Sequence, residues 1–221
     1  MRPFVLLGVG LGAAILAFLS KAGASVAPKP GDVKPPSGDD SDFNAKGIEL
    51  LDVSGLRKRM DAEPAYAPKL ARIVLRDLGW TQEHLDYMVA LISFESGHNP
   101  KARNPESSAS GILQWMRATA PLLGTTIEKI REMNGVEQLD YVLKYFQRRP
   151  NLQPRDLYLH VLGGSGIGKP DSFIVYRGGT AEYEKNEGVD IDKDGNITNG
   201  DMRSVIDRIV FAARQKPRIV L

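Results

Sequence analysis

The sequence predicts a mainly α-helical domain with a small β component, an α+β fold in which helices dominate. Three observations support this prediction. Apolar residues recur at the helical spacing of three and four positions from residue 48 onward. Glycine, proline and capping residues stand at the ends of these periodic segments. Strand-like stretches are few, with residues 110–115 and 173–176 as the candidates.

Size and composition fit one globular domain with appendages. The chain has 221 residues, of which 42% are hydrophobic and 25% are charged, the balance of an ordinary globular protein. A net charge of +2 gives little support for nucleic acid as a partner. The absence of cysteine excludes disulfides, thiolate nucleophiles and cysteine-ligated zinc.

Residues 1–21 are predicted to form a transmembrane anchor or a signal segment. Residues 3–19 carry no charge, with Arg2 before them and Lys21 after them. This stretch is long for a signal-peptide core and slightly short for a span of roughly 20 residues. Small residues at 22–24 offer a cleavage site, so a cleaved signal peptide is the second alternative. A buried helix is the third. The first two alternatives deliver the rest of the chain across a membrane, which predicts an extracytoplasmic or periplasmic domain.

Residues 22–47 are predicted to be a flexible linker. They are rich in Pro, Gly, Ser and Asp and contain almost no large apolar side chain. Such a segment buries too little surface to offset the entropy lost on ordering it. The predicted domain therefore comprises residues 48–221.

Two amphipathic helices are predicted in the first half of this domain. Residues 68–78 repeat apolar side chains at the helical period, and Gly79 stops the helix. Thr81 caps the second helix, which presents one apolar face. The residues of that face are Leu85, Met88, Val89 and Ile92.

Three further helices are predicted in the second half. Thr125 and Glu128 form a capping box for a short helix that ends at residues 134–135. Residues 136–146 form the next helix, which is closed by two prolines. The last helix spans residues 199–215 and has a continuous apolar face.

Glu95 is the candidate catalytic acid. It follows Ile92 by three positions and Met88 by seven, so its side chain projects from the apolar face of its own helix. Gly97 and Pro100 then end that helix. Desolvation and the negative end of the helix dipole both raise the pKa of such a carboxyl group, which suits a general acid. On spacing alone, an acid that faces water at a frayed helix end is the alternative interpretation.

The residues after Glu95 resemble the signature of the SLT-type lytic transglycosylases, which are lysozyme-like enzymes. The resemblance covers a Glu-Ser pair, a Pro-x-Ala-x-Asn stretch, a box similar to Gly-Leu-Met-Gln and a Thr-Ala pair. These motifs are Glu95-Ser96, Pro100 with Ala102 and Asn104, Gly111-Ile112-Leu113-Gln114, and Thr119-Ala120. The intervals between them are close to those of the family, which makes the resemblance much more specific than a lone Glu-Ser pair.

The resemblance implies a lysozyme-like core over residues 81–162 and assigns roles to its residues. Glu95 corresponds to the catalytic acid, and Ser96 to the neighbouring residue that orients the site. Gln114 corresponds to the glutamine in the sugar-binding groove, where its amide suits an N-acetyl group. Trp115 either stacks on a sugar face or packs in the core.

The sequence departs from the family where an Ala-Tyr-Asn-x-Gly motif is usual. Residues 156–164 instead resemble the helix and glycine turn of phage-associated and related transglycosylases, which favours a phage or virion product. Tyr158 is the first candidate to replace the missing tyrosine, with Tyr183 and Tyr176 as alternatives. The candidate substrate-binding residues are therefore Ser96, Gln114, Tyr158 and Tyr183.

The implied reaction cuts the glycan strands of peptidoglycan with one carboxyl group. Glu95 protonates the oxygen between N-acetylmuramic acid and N-acetylglucosamine, and a 1,6-anhydro ring forms without consuming water. Ordinary glycosidases use a second carboxylate, and no motif supports Glu106 or Asp86 in that role. A true muramidase and a non-catalytic peptidoglycan-binding protein with the same fold are the alternatives.

Residues 190–201 resemble an EF-hand calcium loop, and no clear helix is predicted before them. Oxygen ligands fall at loop positions 1, 3 and 5, glycine at 6, an apolar residue at 8 and an acid at 12. The candidate ligands are Asp190, Asp192, Asp194, Asn196 through its backbone carbonyl, and Asp201. Loop position 12 carries an aspartate, whose side chain is shorter than that of the usual glutamate, so Mg²⁺ competes with Ca²⁺. A structural cation is predicted; a regulatory site and an acidic solvated turn are the alternatives.

Residues 163–169 match only part of a phosphate-binding loop. Pro170 replaces the Ser or Thr that holds Mg²⁺ in such loops and removes an N–H from the helix start. A turn is therefore predicted, and nucleotide binding is not.

The histidines lack metal-ligand spacing and are predicted to be structural or solvent-facing; they are His84, His98 and His160.

Overall fold

The computed structural model describes residues 42–162 and 164–221. The predicted anchor over residues 1–21 lies outside these ranges, as does most of the predicted linker. Within them the chain is mainly helical with few strands, which confirms the predicted fold class. No helix of the described part is long and apolar enough to cross a membrane.

The helices are short, except for α3, α5 and α8. They are α1 (Leu56–Ala62), α2 (Tyr66–Arg72), α3 (Gln82–Ser96), α4 (Ile127–Glu132), α5 (Gly135–Phe146), α6 (Leu157–Val161), α7 (Ala181–Asn186) and α8 (Asn199–Arg214). A π-helical turn, Ile73–Asp77, continues α2. Three 3₁₀ turns lie at Ala120–Leu123, Pro154–Asp156 and Glu187–Val189.

Helix α3 is the central element of the fold. Every residue from Leu85 to Ile92 is buried, rather than one apolar face alone. The reason is that α3 packs against α8, α6, the π-helical turn and the N-terminal strand, so it is covered on several sides. Thr81 caps this helix as predicted, and its side chain accepts a hydrogen bond from the backbone N–H of His84.

The predicted capping box at Thr125 and Glu128 is wrong by one residue. Thr126 caps α4 by accepting from the backbone N–H of Lys129, while the Thr125 side chain is buried. Helix α4 also ends earlier than predicted, because Asn134 belongs to the next helix. Asn134 and Glu137 form the capping box of α5.

Two small antiparallel sheets contain the strands. β1 (Glu49–Leu50) pairs with β4 (Ile219–Val220), and β2 (Ile174–Arg177) pairs with β3 (Asn196–Thr198). Strand β2 agrees with the strand predicted over 173–176. The strand predicted over 110–115 is wrong: this segment turns back on itself and forms isolated bridges only.

Helix α8 is held against α3 by charged groups as well as by apolar packing. Asp86 of α3 is 2% exposed and receives hydrogen bonds from Arg214 and from Arg218. Beside it, Asp207 of α8 accepts from the hydroxyl of Tyr87 at 2.6 Å. Because Asp86 is buried among guanidinium groups, it is a structural carboxylate of the interface between α3 and α8.

Candidate active site

Glu95 lies in the last turn of α3, next to the left-handed Gly97 that ends the helix with a φ of 59°. Its side chain is partly buried. Desolvation by burial raises the pKa of Glu95 to about 8. The carboxyl group is therefore protonated at neutral pH, the state that a general acid needs.

Ser96 joins the end of α3 to the segment that carries Gln114. Its hydroxyl lies 2.9 Å from the carbonyl oxygen of Ile112 and 3.2 Å from that of Ile92. Both contacts use the hydroxyl as a donor to backbone within the protein. Ser96 therefore ties the end of α3 to the loop that carries Gln114.

Residues 110–115, here called the Gln114 loop, form a tight turn. Ser110 and Trp115 exchange two backbone hydrogen bonds that close the loop. Gly111 and Gln114 both adopt positive φ, 82° and 50°. A positive φ is uncommon for a residue with a side chain, so the loop holds Gln114 in a constrained backbone conformation. The Gln114 side chain is 6% exposed and donates to the carbonyl of Gly111 at 3.0 Å.

Gln138 of α5 anchors the Gln114 loop, and it was not among the site residues predicted from sequence. Its side chain is fully buried and accepts from the backbone N–H of Ile112 at 2.9 Å. Its amide nitrogen donates to the carbonyls of Pro100 and Ile130, both at 2.9 Å. The available signal was a polar residue four positions before Val142 on the apolar face of α5.

A small pocket lies beside the Gln114 loop. The residues that line it are Leu113, Gln114, Trp115, Thr119, Tyr145 and Val161. The pKa of Tyr145 is raised by its own burial and further by the negative charge of Glu95. Tyr145 is the second site residue that was not predicted from sequence.

Tyr158 is the predicted tyrosine that contacts the last turns of α3. It is 1% exposed and packs edge-on against Phe94, with ring centroids 5.3 Å apart. Burial and the charge of Glu95 both raise the pKa of Tyr158. Its hydroxyl has no hydrogen-bond partner within the described residues. Tyr158 therefore has a free polar group in a buried position near Glu95.

The two alternative tyrosines lie in different surroundings. Tyr183 donates to Asp190 at 2.7 Å, and this hydrogen bond raises the pKa of Tyr183 to about 12. Tyr183 therefore belongs to the loop of residues 190–201 and is not placed with Glu95 by any contact of the described residues. Tyr176 is buried on β2, where desolvation raises its pKa.

Trp115 is a core residue. Its side chain is only 3% exposed, which leaves no indole face open for a sugar to stack on. The alternative of core packing is therefore the correct one.

Asp86 is excluded as a second catalytic carboxylate, because its oxygens are bound by Arg214 and Arg218.

Residues 190–201, here called the calcium-type loop, bring three carboxylates together. Ligand atoms of Asp190, Asp192 and Asp194 lie within 4.8 Å of one another. The Asp190 carboxylate also accepts from the backbone N–H groups of Lys193 and Gly195, at 2.8 Å and 3.1 Å. A cluster of carboxylate oxygens in a preformed turn fits the oxygen ligands that Ca²⁺ and Mg²⁺ prefer.

Asp201, the predicted ligand at loop position 12, makes other contacts. Its carboxylate accepts from the backbone N–H of Ile191 and from both the N–H and hydroxyl of Thr198. These bonds make Asp201 part of the capping box of α8. Asn196 lies on β3, and its side chain donates only a weak 3.4 Å bond to Asp194. A short helix, α7, precedes the loop, contrary to the prediction.

The glycine-rich segment after α6 is a turn that packs on α8. The side-chain amide of Asn199 donates to the carbonyls of Gly166, Lys169 and Pro170. A Cβ on Gly166 would lie 1.9 Å from the Asn199 side chain, so the segment is closed against the helix. This arrangement agrees with the predicted turn.

The three histidines have structural positions. His98 is fully buried between the Tyr66 hydroxyl and the Val89 carbonyl, and desolvation lowers its pKa to about 3. His84 takes part in the cap of α3 and contacts the Leu152 carbonyl. His160 packs against the rings of Tyr145 and Phe146, and burial lowers its pKa to about 4. All three rings are therefore held within the fold, which is the structural one of the two predicted alternatives.

Comparison with known proteins found one family. No match to the chain was found among curated proteins or among solved structures. Residues 81–148 match the transglycosylase SLT domain, from the residue that caps α3 to the second residue after α5. The matched segment contains Glu95, the Gln114 loop, Gln138 and Tyr145, so it includes most of the site described above. The match indicates a lytic transglycosylase that acts on peptidoglycan.

Proposed function

We propose that this chain cleaves the β-1,4 bond between N-acetylmuramic acid and N-acetylglucosamine in peptidoglycan and leaves a 1,6-anhydro end. Glu95 is the catalytic residue. The observation that carries the proposal is a carboxyl group whose pKa is raised to about 8 by burial, in the segment that matches the transglycosylase SLT domain. An acid with that pKa holds its proton at neutral pH and donates it to a leaving oxygen.

The proposed reaction uses the same carboxyl group twice. Glu95 first gives its proton to the oxygen of the glycosidic bond, and the bond from that oxygen to C1 of N-acetylmuramic acid breaks. The Glu95 carboxylate then accepts the proton of the 6-hydroxyl of the same sugar while that oxygen bonds to C1. The enzyme returns to its protonated state, and no water is consumed.

A one-carboxylate reaction is supported by the surroundings of Asp86 on α3. Ordinary hydrolytic glycosidases use a second carboxylate that flanks the bond. Asp86 is bound by two arginines and does not fill that role. The Gln114 amide and the hydroxyl of Tyr158 are proposed to hold the substrate, since Gln114 lines the pocket and the Tyr158 hydroxyl has no hydrogen-bond partner within the described residues.

Substitution of Glu95 by Gln tests this proposal. The variant keeps the volume of the side chain but has no proton to donate, so release of soluble saccharides from purified peptidoglycan should fall by about 10² to 10⁴-fold. Glu106→Gln is the matched control, because Glu106 is an exposed acid in the same segment and should leave the rate unchanged.

Mass spectrometry of the products separates the proposed reaction from its alternatives. Anhydro ends are lighter by one water than the reducing ends that a muramidase leaves. Reducing ends would therefore establish hydrolysis. Unchanged release by Glu95→Gln would instead refute the catalytic role of Glu95, and binding to peptidoglycan without any release would identify a non-catalytic wall-binding protein.

We also propose that the calcium-type loop holds a structural Ca²⁺ ion through Asp190, Asp192 and Asp194, with Mg²⁺ as a competitor. The ion would offset the repulsion among these carboxylates and stabilise the start of α8. Saturating Ca²⁺ should raise the melting temperature relative to EDTA, by the equivalent of about 2.7 kcal/mol at a hundredfold excess over Kd. Asp192→Asn should abolish the shift, while Asp61→Asn, an exposed acid on α1, should keep it.

Residues 1–21 are proposed to attach the domain to a membrane, with the domain on the extracytoplasmic side or in a virion. The support is the uncharged stretch between Arg2 and Lys21. Membrane fractionation of the full chain and of a variant without residues 1–21 tests the attachment. Release of the shorter chain into the soluble fraction is expected, and equal distribution of both would refute the proposal.

A further inference from the structure

Helix α1 lies outside the segment that matches the family, yet it contacts the backbone that follows Glu95. The match begins at residue 81, whereas α1 spans Leu56–Ala62. Gly55, which precedes α1, has a φ of 81°, and a Cβ there would stand 1.9 Å from the carbonyl oxygen of Gly97. The start of α1 therefore packs directly on the C-terminal end of α3, in a position that only glycine fits.

Arg59 of α1 binds the residue after Gly97. Its Nε donates to the carbonyl oxygen of His98 at 2.9 Å, and its side chain is only 15% exposed. A guanidinium in this place suits the unpaired carbonyls and the negative dipole end at the C-terminus of a helix. The His98 ring is held on its other side by the Tyr66 hydroxyl and the Val89 carbonyl. The backbone three residues after Glu95 is therefore fixed by a side chain of α1.

Glu63 extends this contact to α5. Its carboxylate accepts from the guanidinium of Arg59 and from the first two backbone N–H groups of α5, the latter at 3.0 Å and 2.7 Å. Such N–H groups have no partner inside their own helix, so the carboxylate satisfies them. The same helix carries Gln138, which anchors the Gln114 loop. Arg59 and Glu63 thus join the end of α3 to the start of α5.

We infer that Arg59 and Glu63 are positioning residues of the proposed reaction, which hold the end of α3 so that Glu95 keeps its packed position. The inference rests on the proposed function and adds to it two residues that precede the family match. Their effect passes through the backbone of residues 97 and 98. A displacement of about 1 Å in a catalytic group can lower a rate by about 100-fold, so a brace of this kind affects the chemical step.

The pKa of Glu95 reports how tightly the end of α3 is packed. Desolvation by burial raises this pKa from 4.5 to about 8, so water that enters a loosened helix end lowers it again. The charge of Glu95 also acts on Tyr145 and Tyr158, and burial raises the pKa of both phenols. Neither phenol therefore ionises in the range in which Glu95 titrates, and a shift in that range belongs to Glu95.

Arg59→Met tests the inference, because methionine keeps the apolar stem of the side chain and removes its guanidinium. In peptidoglycan assays kcat should fall by about 10- to 100-fold with little change in KM. The pH above which the rate falls should move down by about one unit or more. Arg59→Lys should recover part of both effects, because it keeps the charge but loses the forked donors that reach His98 and Glu63 together. Glu63→Gln should shift both quantities in the same direction as Arg59→Met.

Two controls separate positioning from a general loss of stability. Arg57→Ala removes an exposed guanidinium from the same helix and should behave like wild type. Arg214→Ala/Arg218→Ala removes the partners of Asp86 in the first half of α3, and it should lower stability without moving the pH profile. Equal shifts in this double variant and in Arg59→Met would assign the effect to stability and overturn the inference.

A folded Arg59→Met variant with the kcat and the pH profile of wild type would overturn it as well. If Arg59→Met does not fold, Arg59→Lys decides by the same two measurements. Carboxyl ¹³C NMR of the full chain adds a readout without substrate, in which the Glu95 signal is identified by its absence from Glu95→Gln. A wild type that cleaves no peptidoglycan would refute the proposed function, whereas an unchanged pKa of Glu95 in Arg59→Met would overturn the positioning role alone.

Discussion

In the proposed reaction, the burial of Glu95 determines how the rate depends on pH. The carboxyl group must be protonated to act as an acid, and its pKa is raised to about 8. We predict that kcat/KM on peptidoglycan falls about tenfold per pH unit above this value, because the protonated fraction falls in that proportion. Initial rates between pH 5 and 10 measure this profile. A rate that already falls above pH 5 would show that Glu95 titrates like an exposed acid.

The same burial makes Glu95 destabilising at high pH. The native state retains the proton that the unfolded chain loses above the ordinary glutamate pKa of 4.5, so stability falls as pH rises from there to about 8. We predict that Glu95→Gln is more stable than wild type at pH 9, by a few kcal/mol at most. The difference should disappear at pH 4, where both states of wild type are protonated. Thermal unfolding at both pH values measures it.

The position of Glu95 followed from sequence because a helical face and a glycine stop are local patterns. Gln138 and Tyr145 did not follow, because their roles depend on distant groups. Gln138 is 26 positions from the N–H that it holds. In sequence it is simply a polar residue on a helix. Tyr183 was assigned to the substrate because of its type, whereas the fold places its hydroxyl against Asp190.

At the scale of elements, the Gln114 loop depends on α5. We predict that Gln138→Leu destabilises the protein by about 2–3 kcal/mol, because it leaves the buried N–H of Ile112 and two carbonyls without partners. It should also lower kcat/KM, since the loop loses its anchor next to Ser96. Urea unfolding and peptidoglycan assays measure the two effects.

Gln215→Leu is the control for this variant. Gln215 is exposed and makes one long hydrogen bond of 3.5 Å, so its loss should change stability by less than about 0.5 kcal/mol. Normal activity of a folded Gln138→Leu variant would show that the loop keeps its shape without the amide.

Helix positions were predictable to within a few residues where caps are present. Thr81 identified the start of α3 correctly, but adjacent threonines at 125 and 126 left the start of α4 ambiguous by one position. The segment that forms the Gln114 loop was predicted as a strand. Its positive φ angles exclude an extended conformation, and its packing against Gln138 is a contact that spacing does not reveal.

At the scale of the molecule, α8 and the C-terminal strand hold α3 in place. The family match ends at residue 148, but the buried Asp86 of α3 is neutralised by Arg214 and Arg218. We predict that Arg214→Ala/Arg218→Ala destabilises the protein by about 3–5 kcal/mol, because it leaves a buried carboxylate uncompensated. Denaturant unfolding at pH 7 measures this loss.

A surface ion pair provides the comparison. Arg57 is 60% exposed and pairs with Asp52 at 3.0 Å, so Arg57→Ala should cost less than about 1 kcal/mol. Equal effects of both changes would mean that Asp86 is solvated in the native state. The pairs that Asp86 forms with Arg214 and Arg218 were not predictable from sequence, since Asp86 and Arg218 are 132 positions apart.

The pairing of β1 with β4 places residue 47 next to residue 221. The backbone N–H of Gly47 donates to Leu221, and that of Leu221 donates to Ile48, at 2.9 Å and 3.0 Å. A peptide of a few residues can therefore connect these two points, and new ends can be opened in an exposed turn such as residues 178–179. Circular permutation of this domain should thus preserve its fold.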